Sequence, residues 1–256
     1  MDVIAENPNL LTDFRRNGFV ALRPLYDGPS IADIKANVER LIRDVVPNMP
    51  ETQVYYEDKN DKSSLKQLQK IFEFDAYFND LMLNGAPRRI AEEVLQSQVV
   101  PVNMQYFNKP PKVGQPTPPH QDGYYFHLSP CEAVTGWLAL EDVDDETGCI
   151  RYVRGSHKQS QFRPHGQTGV LGFSQGITDY GTADDVTAEV AFPGAAGTFL
   201  MHHAKTIHMA GANKSAKRTR RALGFIYYAK DAKLDVAAKE AYQATLDARL
   251  KGDQKI

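Results

Sequence analysis

Apolar residues recur at helical spacing through much of the first hundred residues. Leu10 to Asn17 predicts a short helix that ends at Gly18, and Phe19 to Leu22 predicts the strand that follows. From Ser30 to Pro47 the apolar residues lie three or four positions apart. This spacing predicts a longer helix with Ser30 as its N-cap.

Three further helices are predicted. Two run from Asp75 to Leu83 and from Pro87 to Gln96, with Pro87 in a first turn, where its missing N–H does no harm. The polar, alanine-rich segment from Lys233 to Lys251 predicts a helix at the C-terminal end. Residues 48–64 are polar and aperiodic, so we expect a loop there.

Beyond Val99 the pattern changes to short runs of β-forming residues separated by Gly, Pro, Asn and Asp. Several short strands at this density indicate a sandwich or jelly roll rather than a parallel α/β sheet. The Gly- and Gln-rich segment from Gln159 to Asp185 is expected to be a lid or binding loop. The predicted strands are Val102 to Phe107, His120 to His127, Ala133 to Leu140, Cys149 to Val153, Thr187 to Phe192, Thr198 to His202 and Arg221 to Tyr228.

No internal repeat or linker divides the chain, so we expect one domain over residues 1–256. Its fold class is mainly β with flanking helices. A helical N-terminal part, about 1–98, is expected to pack against a jelly-roll core, about 99–230. The C-terminal helix, about 232–251, would follow.

Charge and hydropathy argue against two classes of partner. A formal charge of −2 and a pI near 6.4 give no reason to expect nucleic acid. No run approaches the roughly 18 apolar residues of a membrane span. The start shows no secretory leader and Asp253 to Ile256 is not a peroxisomal address, so we expect a cytoplasmic protein. The expected partner is a small-molecule substrate, and the expected state is a monomer or homodimer.

The most informative motif is His120-Gln121-Asp122. On the predicted strand, His120 and Asp122 would point to the same side. A second imidazole from a distant strand would complete a set of two histidines and one carboxylate around a metal ion. That set, with open coordination positions, is typical of non-haem Fe(II) oxygenases.

Two histidines compete to be that second imidazole. His208 lies just before Gly211 and an arginine cluster, and we favour it. His202 is the main alternative, because it ends a hydrophobic strand where either it or His203 has to point inward.

The arginine cluster adds a third element. A 2-oxoacid such as 2-oxoglutarate chelates iron through its keto-acid end and leaves a distal carboxylate, which the planar fork of an arginine matches. Arg218, Arg220 and Arg221 are available. Arg220 and Arg221 would face opposite sides of a strand, so only one of those two can point into a barrel.

These elements belong to an ordered set of motifs that spans most of the chain. The set resembles the phytanoyl-CoA dioxygenase family of Fe(II)- and 2-oxoglutarate-dependent oxygenases. The motifs are Met104 to Pro111, Pro119 to Asp122, Trp137 to Asp142, Thr147 to Cys149, Gly155 to Lys158, and finally His208, Asn213, Ser215 and Arg220 to Leu223.

The resemblance implies a double-stranded β-helix, a cupin-like jelly roll. It also implies Fe(II) as the metal, 2-oxoglutarate as the cosubstrate and O₂ as the oxidant. The iron ligands it implies are His120, Asp122 and His208. The cosubstrate residues it implies are Arg220, with Arg218 as an alternative, Gln105 and Trp137.

Two features of the sequence bear on this resemblance. Relatives often carry Gly-Ser after the distal histidine, where this chain has Met209-Ala210, so a hydroxyl contact to 2-oxoglutarate is missing or comes from elsewhere. Halogenating relatives have a small residue at the position of Asp122, so the aspartate favours hydroxylation.

The resemblance predicts a dioxygenase that hydroxylates an unactivated C–H bond and releases succinate and CO₂. We expect a small polar substrate, such as a zwitterion or an aminophosphonate. An acyl-CoA hydroxylase of the same family and a cupin-like isomerase or hydrolase remain alternatives. The candidate substrate residues are Lys66, Gln67, Tyr124 and Tyr125.

Overall fold

In the computed structural model, the described residues are 3–170, 173–241 and 244, without the side chains of 168–170, 173 and 174. Seven α-helices lie wholly within these residues, and four of the five longest lie before residue 100. A π-helical turn over Leu41–Val45 continues the second helix. The helices are α1 (Leu10–Asn17), α2 (Gly28–Arg40), α3 (Ile71–Phe74), α4 (Ala76–Asn84), α5 (Ala86–Leu95), α6 (Gly123–Phe126) and α7 (Ala183–Ala188).

Carboxylate side chains cap two of the predicted helices. Asp75 accepts hydrogen bonds from the backbone N–H groups of Tyr77 and Phe78 and so caps α4. The predicted cap of α2 is wrong by three residues. Asp27 is the N-cap, and it accepts a hydrogen bond from the N–H of Ser30. An aspartate at this position satisfies an otherwise unpaired amide and also suits the positive end of the helix.

The strands form two sheets that face each other and two short two-stranded sheets. The strands are β1 (Phe19–Leu22), β2 (Val54–Tyr56), β3 (Leu65–Leu68), β4 (Val99–Lys109), β5 (Thr117–His120), β6 (Leu128–Ser129), β7 (Ala133–Ala139), β8 (Ile150–Val153), β9 (His165–Val170), β10 (Phe173–Ile177), β11 (Glu189–Phe192), β12 (Phe199–His203), β13 (His208–Ala210), β14 (Arg220–Ala229) and β15 (Lys233–Leu234). The larger sheet has the order β1-β12-β7-β14-β4-β3-β2, and the smaller has the order β11-β8-β13-β5.

The two facing sheets form the jelly-roll core that the sequence predicts. Side chains alternate across the central strands of the larger sheet. On β14, Leu223, Phe225 and Tyr227 pack with the helices, whereas Ala222 belongs to a cluster between the sheets that also contains Trp137. The larger sheet is therefore buried on both faces. Because the helices and this sheet share one core, we propose that the chain forms a single domain.

Several predicted boundaries are wrong. The expected loop at 48–64 contains β2, and β3 follows it, so the N-terminal part contributes strands to the larger sheet. A strand was expected from His120 to His127. Instead, β5 ends at His120 and the short helix α6 begins at Gly123. The segment 159–185 is not a bare loop, because it contains the β9–β10 hairpin and the start of α7.

At the C-terminal end, the predicted helix from Lys233 is replaced at first by β15, which pairs with β6. Residues 236–241 and 244 are helical, and the rest of that prediction lies outside the described residues. Among the residues that the structure describes, no helix is both long and apolar enough to cross a membrane.

Asp75 also joins α4 to α2, because Arg40 donates two hydrogen bonds to its carboxylate at 2.7 and 2.9 Å. We predict that Asp75→Ala lowers the free energy of unfolding by about 2 kcal/mol, since it removes the cap and the ion pair together. Asp75→Asn keeps a capping oxygen and should cost about half as much.

The hydrogen bonds from Arg40 outweigh partial burial and lower the pKa of Asp75 below its ordinary value of 3.8. Its stabilising charge is thus present above that value and is lost as the pH falls through the folded-state pKa. Urea unfolding at pH 7, 5 and 3 should give the same wild-type advantage over Asp75→Asn at the first two values and a smaller one at pH 3. An advantage that disappears between pH 7 and 5 would contradict this assignment.

Candidate metal centre and active-site cavity

Two histidines face each other on neighbouring strands of the smaller sheet. His120 ends β5 and His208 begins β13, and the two residues are directly paired in the register. Their ring centroids lie 4.1 Å apart. Both residues are buried. The pairing of distant strands therefore brings together two imidazoles that are 88 positions apart in the sequence.

Each imidazole is oriented by a backbone carbonyl. Nδ1 of His120 lies 2.8 Å from the carbonyl oxygen of Pro118, and Nδ1 of His208 lies 3.1 Å from that of Thr206. A carbonyl can only accept, so each Nδ1 carries the proton and each Nε2 keeps its lone pair. Such contacts fix the tautomer and ring direction of histidines that bind metals.

The carboxylate of Asp122 lies beside the two imidazoles, but the backbone conformation that places it there is not the one predicted from the sequence. It lies beyond the end of β5 with helical backbone angles, φ −56° and ψ −37°, and α6 begins at the next residue. Strand alternation therefore does not align it with His120. A turn through Asp122-Gly123, held by a hydrogen bond from the N–H of Gly123 to Ala204, returns the carboxylate to the imidazoles.

The three side chains could hold one ion. One ligand atom from each of His120, Asp122 and His208 lies within 4.8 Å of the other two. Oδ1 of Asp122 is 3.4 Å from Nε2 of His120 and 3.6 Å from Nε2 of His208. Two neutral nitrogen donors and one anionic oxygen donor suit Fe(II), with coordination positions left open on the far side.

The other oxygen of Asp122 is held away from this point. Thr135 donates its hydroxyl to Oδ2 at 2.5 Å, and Nε2 of His202 lies 3.2 Å from the same oxygen. Nδ1 of His202 is 2.9 Å from the hydroxyl of Tyr152. Since the carboxylate accepts, Nε2 of His202 donates to it and Nδ1 accepts from Tyr152. His202 therefore has no free lone pair at this point and orients Asp122 instead.

The ionisation states fit this arrangement. Burial, with His120 and His202 alongside, holds the pKa of His208 well below its ordinary value, so the imidazole is neutral. Burial opposes ionisation of Asp122, but the interaction with His208, the contact with His120 and the hydrogen bond from His202 hold its pKa well below the usual range. The carboxylate is therefore charged.

The three side chains open into a cavity of about 350 Å³ between the sheets. Arg220 lies in its wall, buried, with its guanidinium carbon 5.2 Å from the ring centroid of Trp137. Nε of Arg220 donates to the carbonyl of Gly148 at 3.2 Å. Burial lowers the pKa of Arg220 to about 10, so it remains a cation at neutral pH. Among the described residues, no carboxylate lies within ion-pair distance of it.

The neighbouring arginines point elsewhere. Arg221 is bonded to Glu141 at 2.8 Å on the opposite side of β14, as strand alternation predicts. Arg218 is half exposed and forms ion pairs with Asp144 and Glu146 at the surface. Arg220 is thus the arginine of the cluster that lines the cavity.

The structure gathers most of the other predicted residues in the cavity wall. Gln105, Trp137, Gln67, Lys66 and Tyr125 all line it. Lys66 is paired with Glu57 at 3.3 Å, and both side chains are 13% exposed.

Tyr124 is the exception, since its ring stacks against another residue outside the cavity wall. That residue is His165, at 4.0 Å between ring centroids. The role of Tyr124 as a substrate residue is therefore a prediction that no contact with the cavity supports.

Sequence reasoning missed three residues of the site. Thr135 lies two positions before Trp137 on a predicted strand, so alternation placed both on one face and could have identified it. Lys109 lines the cavity, and although it lies in the motif Met104 to Pro111, the sequence did not predict a function for it. Glu57 lies in a segment that was expected to be a loop, and no local pattern links it to Lys66.

The sequence profile of the phytanoyl-CoA dioxygenase family matches residues 14–222. The chain belongs to that family. A phytanoyl-CoA dioxygenase domain-containing protein 1 homologue of Caenorhabditis briggsae is 24% identical over 253 residues, which cover 82% of this chain and 86% of that protein. The human peroxisomal phytanoyl-CoA dioxygenase is 26% identical over 215 residues, which cover 79% of this chain and 62% of the enzyme.

Solved structures share the jelly-roll fold of this family member. The non-haem α-ketoglutarate-dependent carbocyclase SnoK of nogalamycin biosynthesis superposes with a TM-score of 0.69 at 23% identity, covering 90% of this chain and 87% of SnoK. EctD from S. alaskensis with bound Fe gives a TM-score of 0.74 at 16% identity, covering 88% of this chain and 77% of EctD. SnoN, an epimerase solved with Fe³⁺ and α-ketoglutarate, gives 0.72 at 23% identity, covering 90% of this chain and 86% of SnoN.

The different contacts of His208 and His202 predict different losses of metal affinity. His208→Ala should abolish stoichiometric metal binding, because it removes a donor. His202→Ala should retain the site and weaken it by about 10- to 100-fold, because it removes only a group that orients Asp122. Anaerobic titration of the metal-free protein with Fe(II) or Co(II) measures both. If His202→Ala abolished binding and His208→Ala did not, the assignment of these two histidines would be reversed.

Proposed function

We propose that this protein is an Fe(II)- and 2-oxoglutarate-dependent dioxygenase that hydroxylates a C–H bond of a small polar molecule. One observation carries the proposal. Two imidazoles and a carboxylate converge at one end of a cavity whose wall also holds Arg220, a buried cation without a carboxylate partner. The donor set suits ferrous iron, and the cation suits the distal carboxylate of a dicarboxylic acid.

The side chains divide the work between them. His120, Asp122 and His208 would hold Fe(II), and Thr135 with His202 would keep Oδ1 of Asp122 directed at it. Bound iron and 2-oxoglutarate supply the oxidative chemistry with O₂, in which 2-oxoglutarate becomes succinate and CO₂ and one oxygen atom enters the substrate.

The opposite wall orients the cosubstrate. Arg220 would bind its distal carboxylate, held in place by the carbonyl of Gly148 and the ring of Trp137. Gln105 lines the same cavity and would contribute a polar contact. Trp137 also covers the buried guanidinium with an apolar surface, which strengthens the ionic contact by excluding water.

Hydroxylation is the reaction we favour, although SnoK is a carbocyclase and SnoN an epimerase. The carboxylate of Asp122 fills the position that would have to be vacant for a halide. We therefore propose hydroxylation rather than halogenation.

The rest of the cavity supports a polar substrate. Beyond the cosubstrate residues, its wall contains the Glu57–Lys66 ion pair and the side chains of Gln67, Gln69 and Gln115. A partly buried ion pair and several amides carry donors and acceptors that a plain hydrocarbon chain could not match. They suit a compact molecule with both donors and acceptors, so we favour such a substrate over an acyl-CoA.

Arg220→Met should weaken 2-oxoglutarate binding by about 10- to 100-fold, since a hydrogen-bonded contact between charged groups contributes about 1.5–3 kcal/mol. Arg218→Met is the matched control and should leave affinity unchanged, because Arg218 is occupied at the surface. Anaerobic titration of the Fe(II) protein, followed by metal-to-ligand charge-transfer absorption, measures both. A loss confined to the Arg218 variant would move the cosubstrate contact to that residue.

With Fe(II), 2-oxoglutarate and a substrate under ¹⁸O₂, we expect one ¹⁸O atom in the product and one in succinate. Screening small zwitterions and phosphonates for accelerated succinate release identifies the substrate, with acyl-CoA thioesters as the comparison. Asp122→Ala should release no succinate above background. Conversion of a substrate under anaerobic conditions without 2-oxoglutarate would instead identify a cupin-like isomerase or hydrolase.

A further inference from the structure

A second buried cation lies beside Arg220. Lys109 is the last residue of β4 and is directly paired with Arg220, the first residue of β14. Residues opposite each other on antiparallel strands project from the same face. Both side chains line the cavity, and Lys109 is 7% exposed while Arg220 is 4% exposed.

Both cations are held by carbonyls of two glycines in contact. Nζ of Lys109 donates to the carbonyl of Gly211 at 2.6 Å, and Nε of Arg220 donates to that of Gly148. Gly148 has a φ of +84°, and a Cβ added to it would lie 2.2 Å from the carbonyl oxygen of Gly211. Only glycine at position 148 allows this approach, which fixes the two cations side by side.

Two like charges in a buried wall need an anion. An ammonium has three donors, and one of those of Lys109 is used by Gly211. Among the described residues, no carboxylate lies within ion-pair distance of Lys109 or Arg220. The other lysine of the cavity differs in this respect, because Lys66 is paired with Glu57. Burial next to Arg220 disfavours the charged form of Lys109, and an acid that enters between the two side chains would stabilise both of them as cations.

One wall residue beside them carries no donor in its side chain. Ala210, two residues after His208, lines the cavity with a methyl group, and the residue after it supplies the carbonyl that holds Lys109. The ammonium of Lys109 thus borders a side chain without a donor.

We propose that Lys109 donates the second contact to the distal carboxylate of 2-oxoglutarate, beside Arg220 and next to the methyl group of Ala210. This proposal rests on the proposed function. One carboxylate then meets a planar guanidinium and a point-charge ammonium, which together neutralise it and satisfy both cations. Burial and the charge of Arg220 lower the pKa of Lys109 well below its ordinary value, so the same carboxylate would also favour the ammonium form.

Comparing two oxoacids isolates this contact. 2-Oxovalerate has the keto-acid end of 2-oxoglutarate but carries a methyl group in place of the distal carboxylate. In anaerobic titrations of the Fe(II) protein followed by charge-transfer absorption, Lys109→Met should raise the dissociation constant for 2-oxoglutarate by about 10- to 100-fold. The constant for 2-oxovalerate should not change.

A second substitution tests the position of Ala210. Lys109→Met combined with Ala210→Ser should recover about tenfold of the lost affinity for 2-oxoglutarate, because the serine supplies a donor. Lys214→Met removes an exposed lysine of the neighbouring loop and is the matched control, expected to bind both oxoacids as the wild type does.

Other results of these titrations would contradict the proposal, and each has a distinct pattern. Equal losses for both oxoacids would show that Lys109 only supports the wall, and no loss for either would exclude the contact. If Lys109→Met does not fold, Ala210→Ser alone serves, and it should tighten 2-oxoglutarate but not 2-oxovalerate. A wild-type protein that binds Fe(II) but neither oxoacid would overturn the proposed function together with this inference.

Discussion

The site depends on how the two oxygens of one carboxylate are used. Oδ2 of Asp122 is held by Thr135 and His202, so Oδ1 is directed at the two imidazoles. Without those two donors, a buried carboxylate could rotate and bond either histidine with either oxygen. The donors come from β7 and β12 of the larger sheet, whereas the imidazoles come from the smaller one. The candidate metal centre is therefore built where the two sheets meet.

The difference between the two faces of the larger sheet explains why a polar cavity can exist inside a hydrophobic sandwich. The outer face of the larger sheet packs against the helices through large residues such as Phe225 and Tyr227. Its inner face carries Ala222 and Gly224 on the same strand, and these small residues leave room for the larger side chains of the cavity wall, such as Phe107. A Cβ added to Gly224 would lie 2.7 Å from the ring of Phe107. The buried charges gathered around this space are destabilising unless ligands match them, which is the usual compromise between stability and function.

Sequence patterns predicted the parts of this structure that local physics determines. Apolar spacing and caps gave α1, α4 and α5 to within about a residue, and alternation placed Arg220 and Arg221 on opposite sides of β14. The pair His120 and Asp122 was found by residue type, but the reason for their proximity was wrong, because a turn rather than a strand aligns them. The sequence could have predicted the turn only if Asp122-Gly123 had been recognised as a turn-forming pair.

Other features were beyond local patterns because distant residues create them. Neither β2 nor β3 has a clear period of its own, and they become strands by pairing with each other and with β4. The sequence favoured His208 over His202 only by its place before the arginine cluster, since the roles of the two histidines differ in which atoms contact Asp122 and Tyr152. The pairing of Lys109 with Arg220 follows from the register of two strands 111 residues apart.

The most direct test of the account is anomalous diffraction at the iron edge from crystals grown anaerobically with Fe(II) and 2-oxoglutarate. We predict one iron atom bound by Nε2 of His120, Oδ1 of Asp122 and Nε2 of His208, with His202 bonded to Asp122 and not to the metal. Iron bound by His202 in place of His208, or no iron between these side chains, would contradict it.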